Sequence, residues 1–295
     1  MTATNESNGE VRLRHVQCLG ARGLHRMAYW EWGDPAGRRV VVCVHGLSRQ
    51  GRDFDWLART LRGDFRVVCP DVAGRGESDR LADPAGYQLA GYVADMVTLL
   101  ARLDATSLAW VGTSMGGLIG MALAALPKSP IERLVLNDVG PAIDAAGIAR
   151  IAGYIGLPLS WASEDEAADY LLSISQGFGV RDRATWMALT RPMLRREGER
   201  FRLHYDPAIA VPLRAVTPEA AALGEAALWA AYDAIRCPTL VLRGADSDIL
   251  SSATAAAMTQ RGPKARLHEF AGVGHAPMLV VPEQVAVVRE FLLSP

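Results

Sequence analysis

With 295 residues, half of them hydrophobic, the chain can bury one large α/β domain, or a core that carries an insert. A formal net charge of −1 gives no electrostatic reason to expect nucleic acid or an anionic membrane as partner, and the apolar stretches are too short or too interrupted to span a bilayer. The four cysteines, Cys18, Cys43, Cys69 and Cys237, are scattered without Cys-x-x-Cys or Cys/His spacing; this argues against a zinc site and for reduced thiols in a cytoplasmic protein.

Residues 1–10 are polar and expected to fray, with no apolar core of a secretory signal after them. Residues 11–19 and 24–32 read as two antiparallel strands joined by a turn at 20–23. Residues 33–37, Gly-Asp-Pro-Ala-Gly, form a loop. Residues 39–44 contain Val-Val-Val-Cys-Val, the continuous β-branched run of a parallel strand covered on both faces, and they lead into His45-Gly46-Leu47-Ser48. A short helix over 54–61 and a buried strand over 65–69 follow. The glycines of 74–79 are no phosphate loop, because neither Lys-Ser/Thr nor a GxGxxG pattern accompanies them. Residues 88–103 place Leu89, Tyr92, Val93, Met96, Leu99, Leu100 and Leu103 at helical spacing.

Next comes the stretch on which the rest depends. An apolar strand, 108–111, runs into Gly112-Thr113-Ser114-Met115-Gly116, and a helix over 117–126 follows. Ser114 therefore sits where a strand turns sharply into a helix. Such a turn strains the serine backbone and leaves no room for side chains two positions either side, a need that Gly112 and Gly116 meet. Residues 131–136 form one more strand, ending at Asn137-Asp138.

The alternation then breaks. From 141 to about 235 no strong strand is evident; a capping box at 163–166 precedes a helix over 167–174, and 183–195 and 218–232 also read as helices. The Arg-Arg-Glu-Gly-Glu-Arg run at 195–200 reads as a solvated face. Alternation resumes with a strand over 238–243 that leads to Asp246 and Asp248, a helix over 251–260 and a strand over 265–270. The loop Gly274-His275-Ala276-Pro277 and an amphipathic helix over 282–293 close the chain. The expected architecture is α/β: a mostly parallel sheet of about eight strands with helices on both faces, and a helical cap inserted after the sixth strand. The domains are then 1–140 and 236–295 for the core and 141–235 for the cap.

In open parallel sheets, chemistry collects beyond the carboxyl ends of the strands. His45–Ser48, Ser114, Asp246–Asp248 and His275 all fall there. A serine hydroxyl needs a base within hydrogen-bond reach, and the base needs an orienting group. The order Ser…Asp…His, each just past a strand, is that of one known triad layout. Of the other histidines, His15, His25, His204 and His268 fall in no comparable setting.

On these features the sequence resembles the α/β-hydrolase fold superfamily, as a serine hydrolase with a cap domain. The resemblance covers the His45-Gly46 turn, the Gly112–Gly116 elbow, an aspartate after the penultimate strand and Gly274-His275, over roughly residues 25 to 293. It implies Ser114 as nucleophile, His275 as base, an aspartate as orienter, and the Leu47 and Met115 N–H groups as oxyanion hole; His45 would brace the oxyanion turn. For the acid, the offset from the strand-ending glycine favours Asp248, with Asp138 and Asp246 as alternatives. The implied function is acyl transfer on a small to medium, partly apolar ester, thioester or lactone, without metal or organic cofactor. Serine at the elbow argues against the aspartate-dependent dehalogenases and epoxide hydrolases. A carbon–carbon bond hydrolase or perhydrolase uses the same parts, and a ligand-binding receptor on this scaffold is the alternative of another class. Trp161, Phe178, Trp186, Met187, Met193 and Tyr205 of the insert are candidates for lining an apolar acyl pocket, but most are expected to bury its helices against the core. A small molecule is the expected partner, and homo-oligomerisation stays open.

Overall fold

The computed structural model describes residues 11–294, apart from the side chain of Gln176. Strands β1 (Arg12–Gly20) and β2 (Gly23–Trp32) form an antiparallel hairpin, and β3 (Arg39–Val44) follows. Next in the chain are α1 (Asp55–Leu61), β4 (Arg66–Pro70), α2 (Leu89–Leu103), β5 (Ser107–Thr113), α3 (Met115–Ala124) and β6 (Ile131–Asn137). After β6 come α4 (Ala145–Tyr154), α5 (Glu164–Ile174), α6 (Arg183–Thr190), β7 (Leu194–Glu197), β8 (Arg200–Leu203), α7 (Ala210–Arg214) and α8 (Pro218–Ala234). The chain ends with β9 (Thr239–Gly244), α9 (Ser252–Met258), β10 (Arg266–Phe270) and α10 (Pro282–Leu293).

Among the described residues, one sheet has eight strands in the order β1-β2-β4-β3-β5-β6-β9-β10. It is parallel from β4 to β10; β2 joins both β1 and β4 in antiparallel fashion. The continuous apolar run of β3 is used on both faces. Val40, Val42 and Val44 pack with Met96, Leu99, Trp110 and Ile119 on the α2/α3 side. Val41 and Cys43 pack with Leu57, Leu61, Val288 and Phe291 on the α1/α10 side. Strand order reverses between β3 and β5, so the loops leaving those two strands diverge around a crevice.

The stretch 141–235 departs from expectation in two ways. It holds a small β7–β8 hairpin, where only helix and solvated face were expected, turned at Gly198 with φ +63°. The helix expected over 183–195 ends at Thr190. The charged run 195–200 is exposed, as its composition suggests. Trp186, Met187, Leu189 and Met193 are buried against Ala168 and Leu171 and against Met278 and Val280 of the chain's last loop. Most of the large apolar side chains of this stretch thus serve packing.

Candidate active site

Ser114 has φ +53° and ψ −118°, a left-handed backbone that a residue with a Cβ adopts only under constraint. The constraint comes from both sides. The Ser114 N–H donates to the Asn137 carbonyl (2.9 Å), and the Ser114 carbonyl accepts from Gly117 N–H (2.8 Å). A Cβ on Gly112 would overlap the Gly116 carbonyl, and one on Gly116 would overlap the Val44 carbonyl, so only glycine lets β5, β3 and α3 meet this closely.

His275 lies in the loop after β10, its side chain 9% exposed. Its Nε2 is 3.0 Å from Ser114 Oγ, and its Nδ1 is 2.7 Å from Asp138 Oδ2. A carboxylate opposite Nδ1 fixes the proton there, which leaves Nε2 to accept the serine hydroxyl proton. Asp138 is fully buried. Its Oδ1 accepts the Gly244 N–H (2.8 Å), and its Oδ2 also accepts the Ser247 hydroxyl (2.6 Å). It too has a positive φ, +56°, which turns its side chain off the line of β6.

The structure thus brings together Ser114, His275 and an aspartate, but the aspartate is Asp138 and not Asp248. Asp248 forms a forked ion pair with Arg150 of α4, Nε–Oδ2 2.5 Å and Nη2–Oδ1 2.9 Å. The Arg150 guanidinium holds its carboxyl below the usual carboxylate range. The reason is local. Ser247 points inward, where its Oγ donates to Asp138 and accepts the N–H groups of Ile249 and Leu250, so its neighbours on either side are directed elsewhere. Asp246 is exposed.

Leu47 follows β3 and Met115 opens α3. Among the described residues, neither N–H is engaged by another backbone group outside regular structure. For Met115 this is what a helix start leaves free; Leu47 lies in the turn after β3. His45 braces the turn: its Nδ1 donates to the Gly46 carbonyl (2.7 Å), and its Nε2 accepts the Val72 N–H (2.9 Å). Burial pushes its pKa down to about 3, against the partial support of the Gly46 carbonyl, so the ring is neutral.

Arg75 was not singled out in the sequence, where it stands in the discarded glycine-rich loop. It is 1% exposed, donates from Nε to the Leu47 carbonyl (2.9 Å) and from Nη1 to the Ala73 carbonyl (2.6 Å) and the Tyr92 hydroxyl (2.9 Å), and reaches Met115 Sδ with Nη2 (3.7 Å). One buried guanidinium therefore ties together the two segments that supply Leu47 and Met115. The flanking Gly-x-Gly-x-Ser pattern could have flagged it as a tight turn, but not as a brace.

The pocket over Ser114 encloses about 60 Å³, walled by Leu47, Phe54, Ile151, Phe178 and Met278, with Arg49 and Arg150 also reaching it. A larger cleft of about 870 Å³ lies elsewhere, between Trp30, Asp71 and the β7–β8 hairpin. It touches neither Ser114 nor His275, so the smaller one is the site. Cys18, His25 and Asp95 form a buried cluster at β1, β2 and α2, in which His25 Nε2 pairs with Asp95 (3.0 Å). Burial raises the Cys18 thiol to about 12, which disfavours the thiolate that a metal would need.

A strained serine elbow, a histidine bridging it to a buried carboxylate and the strand-order reversal define a hydrolase class, and the match to a family model bears this out: residues 41–288 match the alpha/beta hydrolase family. The chain belongs to that family. Its similarity extends to the 3-hydroxybutyrate-oligomer hydrolase of Cupriavidus necator, 53% identical over 284 residues, or 95% of this chain and 97% of that protein. It is also 25% identical to the pimeloyl-[acyl-carrier protein] methyl ester esterase of Photobacterium profundum, over 88% of this chain and 97% of that one. Among solved structures, an alpha/beta hydrolase from Novosphingobium aromaticivorans superposes with a TM-score of 0.85 at 36% identity, covering 97% of this chain and 99% of that one. No described helix is long and apolar enough to cross a membrane.

Proposed function

We propose that this chain, an ester-bond hydrolase, cleaves short oligoesters of a hydroxy acid of the 3-hydroxybutyrate type through an acyl-enzyme on Ser114. The observation that carries the reading is the unbroken path from Ser114 Oγ through His275 to buried Asp138, at 3.0 and 2.7 Å. As Oγ attacks the ester carbonyl, His275 Nε2 takes its proton, and Asp138 stabilises the imidazolium that forms. The oxyanion is met by the Leu47 and Met115 N–H groups, each worth about 3 kcal/mol of barrier. As the tetrahedral intermediate collapses, the ester C–O bond breaks and His275 returns the proton to the departing alkoxide, which leaves as the hydroxyl end of one fragment. Water then repeats the cycle on the acyl-enzyme, with His275 as base, and releases a carboxylic acid.

A pocket of about 60 Å³ with apolar walls suits a short acyl group better than a long chain. The oligoester assignment draws on the Cupriavidus necator relative, whose name gives it such a substrate. The stretch 141–235 acts as a cap: α4 supplies Ile151 and the loop after α5 supplies Phe178 to the pocket wall, between the two core segments. The setting is cytoplasmic.

Active-site titration with a fluorophosphonate, followed by p-nitrophenyl ester turnover at increasing acyl length, tests this. Stoichiometric labelling that Ser114→Ala abolishes, with turnover falling beyond short acyl chains, is expected. Absence of labelling in the wild type would sink the serine mechanism, and labelling without ester turnover would favour carbon–carbon cleavage.

A further inference from the structure

The two arginines that reach the Ser114 pocket have their charges met differently. Arg49 is buried, and its fork is filled by buried Asp53, with bonds of 2.6 and 2.7 Å; an incoming ligand would have to break a desolvated pair. Arg150 is 39% exposed along its side chain, and its partner Asp248 is 40% exposed. An exposed pair of this kind contributes little to stability, so another carboxylate can take the same fork at small cost. Asp248 is not needed by His275, which is served by Asp138.

Arg150 is also held in place. It is on α4, next to Ile151 and one turn before Tyr154, all three at the pocket. Gly147, one turn earlier, packs so tightly on the Asp248 backbone that a Cβ there would overlap its carbonyl. The loop carrying Asp248 is in turn bonded to Asp138 through Ser247 and Gly244. The stretch of α4 that carries Arg150 is therefore held against the loop that is bonded to Asp138.

We propose that Arg150 is the specificity residue that reads the free carboxylate of the substrate, and that Asp248 occupies its fork until substrate arrives. This rests on the oligoester reading above and goes further: a carboxylate anchored on Arg150 places the ester bond nearest the carboxyl end over Ser114. Planar, bidentate recognition of a carboxylate is what arginine does better than lysine.

The test compares kcat/KM for cleavage of the inter-unit ester in two probes, the linear 3-hydroxybutyrate dimer as free acid and its methyl ester. The wild type is expected to prefer the acid at least about tenfold, mainly through KM. Arg150→Gln brings the ratio close to one, and Arg150→Lys keeps part of it. Asp248→Asn, which removes the competing carboxylate, raises the ratio about threefold or more, an effect that a merely structural ion pair would not produce. Equal use of both probes by the wild type, or proportionate loss on both in Arg150→Gln, overturns the proposal; so does a lower ratio in Asp248→Asn. Failure of the underlying oligoester reading is distinct, because it appears as a wild type that cleaves neither dimer probe, whether or not it turns over p-nitrophenyl acetate.

Discussion

Replacing Asp138 with asparagine keeps the volume and changes one acceptor into a donor. In the wild type the carboxylate meets three donors: Gly244 N–H at 2.8 Å, the Ser247 hydroxyl at 2.6 Å and His275 Nδ1 at 2.7 Å. The Gly244 N–H cannot turn, so the asparagine oxygen stays on it and the amide NH2 faces Ser247 and His275. Ser247 adapts by rotating its hydroxyl. His275 adapts only by moving its proton to Nε2, the nitrogen that must accept from Ser114. The base is then lost while the fold keeps most of its bonds. We expect kcat to fall roughly 10³–10⁴-fold, about 4–5.5 kcal/mol of barrier, and stability to fall by only about 1 kcal/mol. Asp248→Asn loses an exposed ion pair, worth up to about 1 kcal/mol, and on p-nitrophenyl butyrate should cost no more than about tenfold. Steady-state turnover of both variants, beside urea denaturation to confirm folding, decides. A crippled Asp248→Asn with Asp138→Asn within tenfold of wild type would refute the assignment.

Two further expectations concern the oxyanion turn. The folded-state pKa of His45, about 3, lies below the ordinary 6.5, so the unfolded chain takes up the proton first. Its contribution to stability is whole above pH 6.5 and is lost progressively as pH falls towards 3. In His45→Gln, Tm should start lower but decline less steeply between pH 6.5 and 4.5; equal slopes in thermal scans would remove this account. Arg75→Met keeps the length of the brace and deletes its bonds to Leu47, Ala73 and Tyr92. We expect kcat on p-nitrophenyl butyrate to drop about 10–100-fold through misplacement of the turn, KM to change little and Arg75→Lys to recover part; an unchanged kcat in a folded variant would show that the turn stands without it.

Ser114 and His275 were legible because their neighbours carry the constraint in their chemistry: glycines where three backbones converge, and Gly-His-Ala-Pro where no helix or strand can continue. The sheet was legible for a similar reason, since β3, β5 and β9 are continuous apolar runs. The orienting acid was not. Asp138, Asp246 and Asp248 all follow a strand by a few residues, and what separates them is a positive φ at Asp138 and the inward turn of Ser247. Neither leaves a mark in one sequence, because aspartate tolerates the left-handed region without glycine's help. The β7–β8 hairpin was hidden by its charge: β7 is mostly exposed and β8 half exposed, and Arg-Glu-Gly-Glu-Arg carries little of the apolar alternation by which strands are recognised. Helix α4 went unnamed because an Ala/Gly-rich segment buries few large side chains, among them Ile151.

Gly147, wedged against the carbonyl of Asp248, links the pocket wall to the loop that is bonded to Asp138. Any attempt to widen substrate scope by redesigning α4 will push on the loop that anchors Asp138, so turnover number and selectivity should shift together in such libraries. Phe178 offers no cleaner handle, because its segment is tied to the loop that carries His275: the Gly177 carbonyl accepts the Gly274 N–H, and Gly179 packs on Val273.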